Sequence, residues 1–172
     1  MATLRKGACY SKRITRAYTR KSKYMKKGFI KAIPTIKVVR YTMGEPKKDF
    51  NYSLKLVSNQ PVQVRHNALE SSRQIVNRNL NEKVGPSNYL FQINAYPHHV
   101  LRENRMLSGA HADRLQTGMS HSFGKPVGTA AQVPKGKTLF TIKVNKEHIE
   151  LARLALKTAT PRLPGTYTII IT

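Results

Sequence analysis

The stretch RHNALESSRQIVNRNLNEKVGP, residues 65–86, decides the fold. Between Asn67 and Lys83 the apolar positions Leu69, Val76, Leu80 and Val84 return at helical spacing. The spacing predicts an amphipathic helix. Asn67 can cap its start, with Glu70 three residues on as a capping-box partner. Gly85 and Pro86 stop it. Arg73 and Arg78 lie off the apolar stripe and Arg65 just before it. A basic helix face usually means solvent. Here the carboxylates that would make it a salt-bridged surface are few, so the face reads as one that contacts phosphate.

Strand patterns flank this helix on both sides. Ile36 to Tyr41 is β-branched and bounded by Pro34 and Gly44, which predicts a strand. Tyr52 to Val57 alternates, with Tyr52, Leu54 and Leu56 on one face and Ser53, Lys55 and Val57 on the other, and Val62 and Val64 continue after Pro61. Tyr89 to Ala95 sets Tyr89, Phe91, Ile93 and Ala95 against Leu90, Gln92 and Asn94. His98 to Leu101, Thr138 to Val144 and Thr166 to Ile171 read as further strands. Asn145 caps a second helix running to about Thr158, with Ile149, Ala152, Leu156 and Ala159 on its buried side. The order lacks strict strand–helix–strand alternation and shows no internal repeat. The class is α+β, a mixed sheet with two main helices. The chain's 172 residues suffice for one domain with a real core.

Charge is the next constraint. Thirty-one Lys and Arg face 8 acidic residues, a net charge of +23. Self-repulsion at that density disfavours a compact free monomer, and a polyanion relieves it. Nucleic acid is the commonest such partner, because each neutralised phosphate releases a counterion. A membrane is the rival polyanion, but no apolar run approaches the ~18 residues of a spanning helix. There is no signal-peptide stretch, myristoylation glycine or prenylation cysteine. The lone Cys9 makes neither an internal disulfide nor a cysteine zinc cage. These features predict a cytoplasmic protein.

No acidic residue precedes Glu45. Arg5, Lys6, Lys12, Arg13, Arg16, Arg20, Lys21, Lys23, Lys26 and Lys27 crowd the start, with Tyr10, Tyr18 and Tyr24 interleaved. Such a segment has too little apolar surface to order alone. Residues 1–32 read as an arm that orders on RNA, leaving 33–172 as the globular domain. A free solvated tail would gain nothing from tyrosines among arginines, whereas RNA offers bases to stack on. The stretch 102–124 is too long for an ordinary connection. It joins Gly109, Gly118 and Gly124 to Arg102, Arg105 and Arg114. Glycines let backbone approach RNA closely and arginines hold phosphate bidentately; the alternative is a surface linker.

Chemistry is poorly provided for. His98 and His99 are adjacent, and His111 and His121 follow, but neighbours on a strand point to opposite faces and no Cys or carboxylate cluster completes a metal cage. Contacts to backbone or phosphate suit these histidines better. The carboxylates are scattered: Glu70 suits a cap, and Glu147 and Glu150 suit the first turn of the last helix. No Gly-rich loop matches a P-loop or dinucleotide fingerprint. No metal, cofactor or small-molecule substrate is expected. An RNA-cleaving or RNA-modifying enzyme using His98, His99 or His111 would need a carboxylate or nucleophile beside them. A DNA-compacting basic protein would not need so large a core.

Five stretches together carry a resemblance: AYTRKSKY (17–24), RHNALESSRQIVNRNL (65–80), PHHVLREN (97–104), GAHADRLQTGM (109–119) and FGKPVGTAA (123–131). They resemble the large-subunit ribosomal protein L-ten-e family, the archaeal and eukaryotic counterpart of bacterial L-sixteen, and the archaeal form most. The likeness runs from about Arg5 to the C-terminus. It implies an α+β fold of the hammerhead type, packed on large-subunit ribosomal RNA near the base of the central protuberance, with 5S ribosomal RNA and neighbouring ribosomal proteins as further partners. It also implies a role on the A-site side of the peptidyl-transferase region, positioning transfer RNA, with the loop 102–123 reaching toward that centre. Arg102, Asn104, Arg105, Asp113, Arg114, Gln116 and Gly118 match the family's loop motif. His111 stands where the family usually has glycine, Ser120 where arginine is usual, and His121 replaces a small residue. The lost arginine removes one RNA contact, and His111 restricts a backbone that was free. The RNA-binding set is then Arg5, Lys12, Arg13, Arg16, Tyr18, Arg20, Lys21, Lys23, Tyr24, Arg65, Arg73, Arg78, His98, Arg102, Asn104, Arg105, Arg114, Gln116 and Lys125.

Overall fold

The computed structural model describes residues 5–12, 14–19, 30–104 and 123–172. In chain order they form α1 (Ala8–Ser11), β1 (Thr42–Gly44), β2 (Tyr52–Ser58), β3 (Val62–Arg65), α2 (His66–Lys83), β4 (Tyr89–Ile93), β5 (His99–Glu103), β6 (Lys125–Val133), β7 (Thr138–Val144), α3 (Ile149–Ala159) and β8 (Tyr167–Ile171). No helix among them is long and apolar enough to cross a membrane.

The helix read from residues 67–83 is α2, and Leu69, Val76, Leu80 and Val84 are all buried. Its end follows the reading. The Val84 and Gly85 amides both donate to the Leu80 carbonyl, at 2.9 and 3.1 Å, and Gly85 turns left-handed. Its start differs. β3 runs into the helix without a loop, so Arg65, in extended conformation, stands at the cap and no side chain caps. Asn67 lies inside the first turn, its Oδ1 accepting from the Ala68 amide at 3.0 Å. Glu70 turns to Arg73 instead of reaching back, because a two-pronged contact with a guanidinium outweighs one neutral amide.

Five strands form one sheet in the order β1-β4-β7-β2-β8, and three form another in the order β3-β6-β5. Every pairing is antiparallel. The expected mixed sheet is therefore two antiparallel ones, since no strand–helix–strand crossover brings parallel neighbours together. The alternation read for β2 holds: Leu54 and Leu56 are buried, opposite Ile142 and Phe140 of β7. In β4, Tyr89, Phe91 and Ile93 face the core as expected, and Phe91 meets Phe140 edge-on at 5.5 Å. α2 and α3 pack on each other and on this sheet, and α2 also touches β3 and β6. One apolar core thus joins both sheets and both long helices.

Two strand readings fail instructively. Residues 36–41 form no strand; the ladder begins only at Thr42. Val38 is buried and Ile36 packs on the core, so the β-branched residues do face inward. Their backbone is satisfied elsewhere, with the Lys37 amide reaching Nδ1 of His66 at 3.4 Å. Conversely β6, the nine-residue centre of the second sheet, has no alternating pattern to announce it. Its Pro126 sits opposite Arg102 beside a register shift, where proline is tolerated.

Leu80→Ala is expected to cost about 3 kcal/mol, because it opens a cavity where the two helices meet the sheet. Leu154→Ala, on the exposed side of α3, should stay within about 0.5 kcal/mol. Urea denaturation followed by circular dichroism separates the two. Equal losses would contradict the packing described.

Candidate nucleic-acid interface

The second sheet presents the sequence-predicted residues. β5 carries the chain out to Glu103 and β6 brings it back at Lys125, and these two residues are paired across the ladder. The stretch 105–122 therefore leaves and returns at one root. Gly124 closes that root with φ +77°, and a Cβ there would stand 2.8 Å from the Glu103 carbonyl carbon.

Arg102 is the centre of the root. Its guanidinium carbon lies 4.0 Å from the ring centre of Tyr18 and 3.8 Å from that of Phe123. It also donates to the Phe123 carbonyl. Tyr18 and Phe123 meet edge-on at 5.7 Å. A cation set in the corner of two rings that meet at a right angle is favoured electrostatically by both, and more so where water is partly excluded.

The arm reaches this point along the sheet. The Tyr18 amide donates to Nδ1 of His99 at 2.9 Å, and the Val100 amide donates to the Tyr18 carbonyl at 2.9 Å. Upstream, α1 lies beside β3, where the Gln63 side-chain amide donates to the Tyr10 carbonyl at 2.8 Å. Arg65 donates to the Arg5 carbonyl at 3.1 Å and stands over the Tyr10 ring. Arg5 in turn pairs with Glu103 at 2.5 Å. So residues 5–12 and 14–19 of the basic arm rest on the domain's own second sheet. A groove of about 330 Å³ lies between them, lined among others by Tyr10, Thr15, Tyr18, Gln63, His99 and Phe123.

The two adjacent histidines part: His98 lies before β5 and His99 opens it. His98 is exposed, its Nδ1 3.1 Å from the Tyr96 carbonyl. His99 is buried and accepts the Tyr18 amide, which needs an unprotonated Nδ1. Burial holds its pKa below the ordinary histidine value, and His98 and Arg102 push the same way. Among the described residues no three His, Cys, Asp or Glu side chains come together as a metal cage.

Arg5, Arg65, Tyr18 and Arg102 are thus brought together, and exposed Lys12, Arg16, Asn104 and Lys125 lie on the same arm and root. Arg73 and Arg78 are not. Arg73 is half-buried and grips Glu70 at 2.6 Å, holding that carboxyl below its usual pKa, and lies near the Met43 sulfur. Arg78 pairs with Glu82 at 2.8 Å. The carboxylates are few, but two of them sit at the three- and four-residue spacings that reach these arginines. Arg13, Arg20, Lys21, Lys23, Tyr24, Arg105, Arg114 and Gln116 lie outside the described residues, as do His111, Ser120 and His121. The reading of the residues passed over Phe123 and left Tyr10 out of the RNA-binding set; the backbone contact expected of the histidines is made by His99. Only an aromatic beside Gly124 hinted at the first.

Comparison with known proteins finds one family. Residues 16–170 match the profile of ribosomal protein L16p/L10e. The chain is 47% identical over 163 residues to the large ribosomal subunit protein uL16 of Saccharolobus solfataricus, covering 94% of this chain and 88% of that one. It is 45% identical over 169 residues to the uL16 of Methanococcus maripaludis, covering 98% and 94%. With the uL16 of Hyperthermus butylicus it shares 43% over 156 residues, covering 91% and 86%.

The His99 contact has a defined pH dependence. Folding lowers its pKa, so the folded state favours the neutral ring. That stabilisation is full above the unfolded value of about 6.5 and is lost as pH falls through the lower folded value. Acidification below that range should release Tyr18, seen as movement of the Tyr18 and Val100 amide resonances, and His99→Gln should flatten the response. Amides that stay unmoved while the His99 ring resonances themselves report protonation would show that the ring does not hold the arm.

Proposed function

This chain belongs to the ribosomal protein L16p/L10e family, and we propose that its second sheet is the face that binds large-subunit ribosomal RNA and helps position transfer RNA. The family makes it a structural constituent of the large ribosomal subunit and not an enzyme. Ribosomal RNA and neighbouring ribosomal proteins are its partners.

One observation carries the reading of the site. Arg102 near the end of β5 lies against the rings of Tyr18 and Phe123, and so ties the basic arm to both ends of the root. A loop that carries Arg105, Arg114 and Gln116 into an RNA channel needs such a root, because a free hinge would spread its tip over many positions. The reading extends to the finer assignments. Residues 1–32 are the basic arm, completed by ordering on ribosomal RNA through Arg13, Arg16, Arg20, Lys21, Lys23 and Tyr24. Residues 33–172 are a hammerhead-type domain containing the extended loop 102–124. That loop serves the A-site side of the peptidyl-transferase region, and 5S ribosomal RNA is a further neighbour. The protein works in the cytoplasmic large subunit.

Binding is dominated by phosphate neutralisation, so affinity for ribosomal RNA should fall steeply with salt, and Arg16→Ala should reduce the logarithmic salt slope by about 1. A slope insensitive to that change would remove Arg16 from the interface. Deleting 109–119 should leave the fold and subunit assembly intact while slowing accommodation of transfer RNA. Normal peptide-bond formation by subunits carrying the deletion would rule out the loop's role.

A further inference from the structure

Four strand edges bound the two sheets, and three are protected. β1 offers only three residues. The outer edge of β3 lies beside α1, and that of β5 is taken by the Tyr18 backbone. The fourth, β8, is bare among the described residues and reads YTIII, with neither proline nor inward charge. Exposed apolar edges of this kind are liabilities that proteins blunt or cover.

The register shows what this edge presents. Ser53 and Thr172 exchange both backbone hydrogen bonds at 2.8 Å. Hydrogen-bonded pairs alternate along an antiparallel ladder, so Ile170 and Thr168 also bond to β2. Tyr167, Ile169 and Ile171 then turn their N–H and C=O groups outward. Ile169 and Ile171 lie opposite Leu56 and Leu54, so their side chains stand on the α3 side. There a groove of about 710 Å³ runs between strand and helix, lined among others by Arg153, Leu154, Lys157, Tyr167 and Ile169. Its surroundings are apolar and open: Leu154 is 48% exposed and Ile171 46%.

From this we infer that the groove between β8 and α3 is a docking surface for an extended, acidic segment of a partner protein, which adds to β8 as a sixth strand. Outward backbone groups supply the hydrogen bonds, and alternate apolar side chains of the guest drop onto Leu154 and Ile169. Charge selects the guest. Lys157 and Arg153, the latter also touching Glu150 at 3.0 Å, line the helix side of the groove and call for carboxylates. RNA could reach Arg153, Lys157 and the half-buried Tyr167 ring, but it has no alternating N–H and C=O groups in strand register to pair those that Tyr167, Ile169 and Ile171 turn outward. A second copy is disfavoured because two chains of net charge +23 would meet edge to edge.

The chain, labelled with nitrogen-15, would be titrated with the acetylated and amidated peptide Val-Thr-Glu-Thr-Val-Thr-Glu, whose valines and glutamates share one face of a strand and so meet Leu154, Ile169, Arg153 and Lys157 together. Its lysine-for-glutamate counterpart and oligouridine serve as rivals. The acidic peptide should move the Tyr167, Ile169 and Ile171 amides and slow their exchange. Lys157→Glu should weaken it by about tenfold and favour the lysine peptide instead. Leu154→Lys should abolish binding. Both substitutions lie on the exposed side of α3, and circular dichroism verifies the fold; ribosomal RNA binding by the second sheet should be untouched. The inference is overturned if millimolar acidic peptide leaves these amides unmoved. It is equally overturned if the lysine peptide binds the unaltered chain as well, if oligouridine moves the same amides, or if they shift with protein concentration alone.

Discussion

The apolar stripe of α2 is the constraint on which the rest depends. Leu69, Val76 and Leu80 are fully buried, and their helix touches β3 and β6 on one side and α3 and β4 on the other. Each such side chain contributes roughly 1.5–3 kcal/mol of burial. The second sheet has only three strands and little interior of its own. It is anchored because β3 runs into α2 without a loop and because Val64, Ala131 and Val133 share the core. The direction in which β5 and β6 carry the chain outward is therefore set by apolar packing, with Arg65 standing only at its rim, where β3 meets α2. Separating the two tasks lets a highly charged surface be positioned by an uncharged seam.

With 8 acidic residues against 31 basic ones, where the carboxylates go matters as much as where the cations go. Glu70, Glu82 and Glu150 pair with arginines of their own helices at three- or four-residue spacing. These pairs lie on α2 and α3. Exposed ones such as Arg78–Glu82 add little to stability. Their effect is to withdraw those arginines from the pool that seeks phosphate. At the second sheet the only carboxylate in an ion pair among the described residues is Glu103, which meets Arg5. Among the described residues Arg16, Lys12 and Lys125 have no such partner, and Arg102 lies against two aromatic rings, which carry no opposite charge.

How much of this could be read from residue order depends on the range of the contact. The helix at Leu69, Val76 and Leu80, the alternation of Leu54 with Leu56, and the stripe Ala152, Leu156 and Ala159 were legible because periodicity is a local property. The strand expected at 36–41 failed because β-branched residues report burial, not pairing, and the Lys37 amide found a histidine instead of a ladder. β6 escaped notice because Gly128, Thr129, Ala130 and Ala131 are small where α2 passes close, which erases the alternation. The capping box failed for want of a loop before the helix. Arg102 was identified as a loop residue, but its clamp joins positions 18, 102 and 123, and no local pattern links residues that meet only after folding.

That clamp makes the arm and the loop one system. The Tyr18 backbone binds His99 and Val100, while its ring covers Arg102 and touches Phe123. Whatever seats the arm thereby also stiffens the root of the loop, and whatever holds the loop retains the arm. Such coupling is reciprocal by thermodynamic necessity. Its size is bounded by what Tyr18 contributes: two backbone hydrogen bonds of about 1 kcal/mol each and a cation–π contact of similar worth. A few kcal/mol suffices to tie the placement of Tyr18 to that of Arg102 and Phe123. The coupling stays weak enough that a partner gripping the arm must add its own binding free energy before the root becomes rigid.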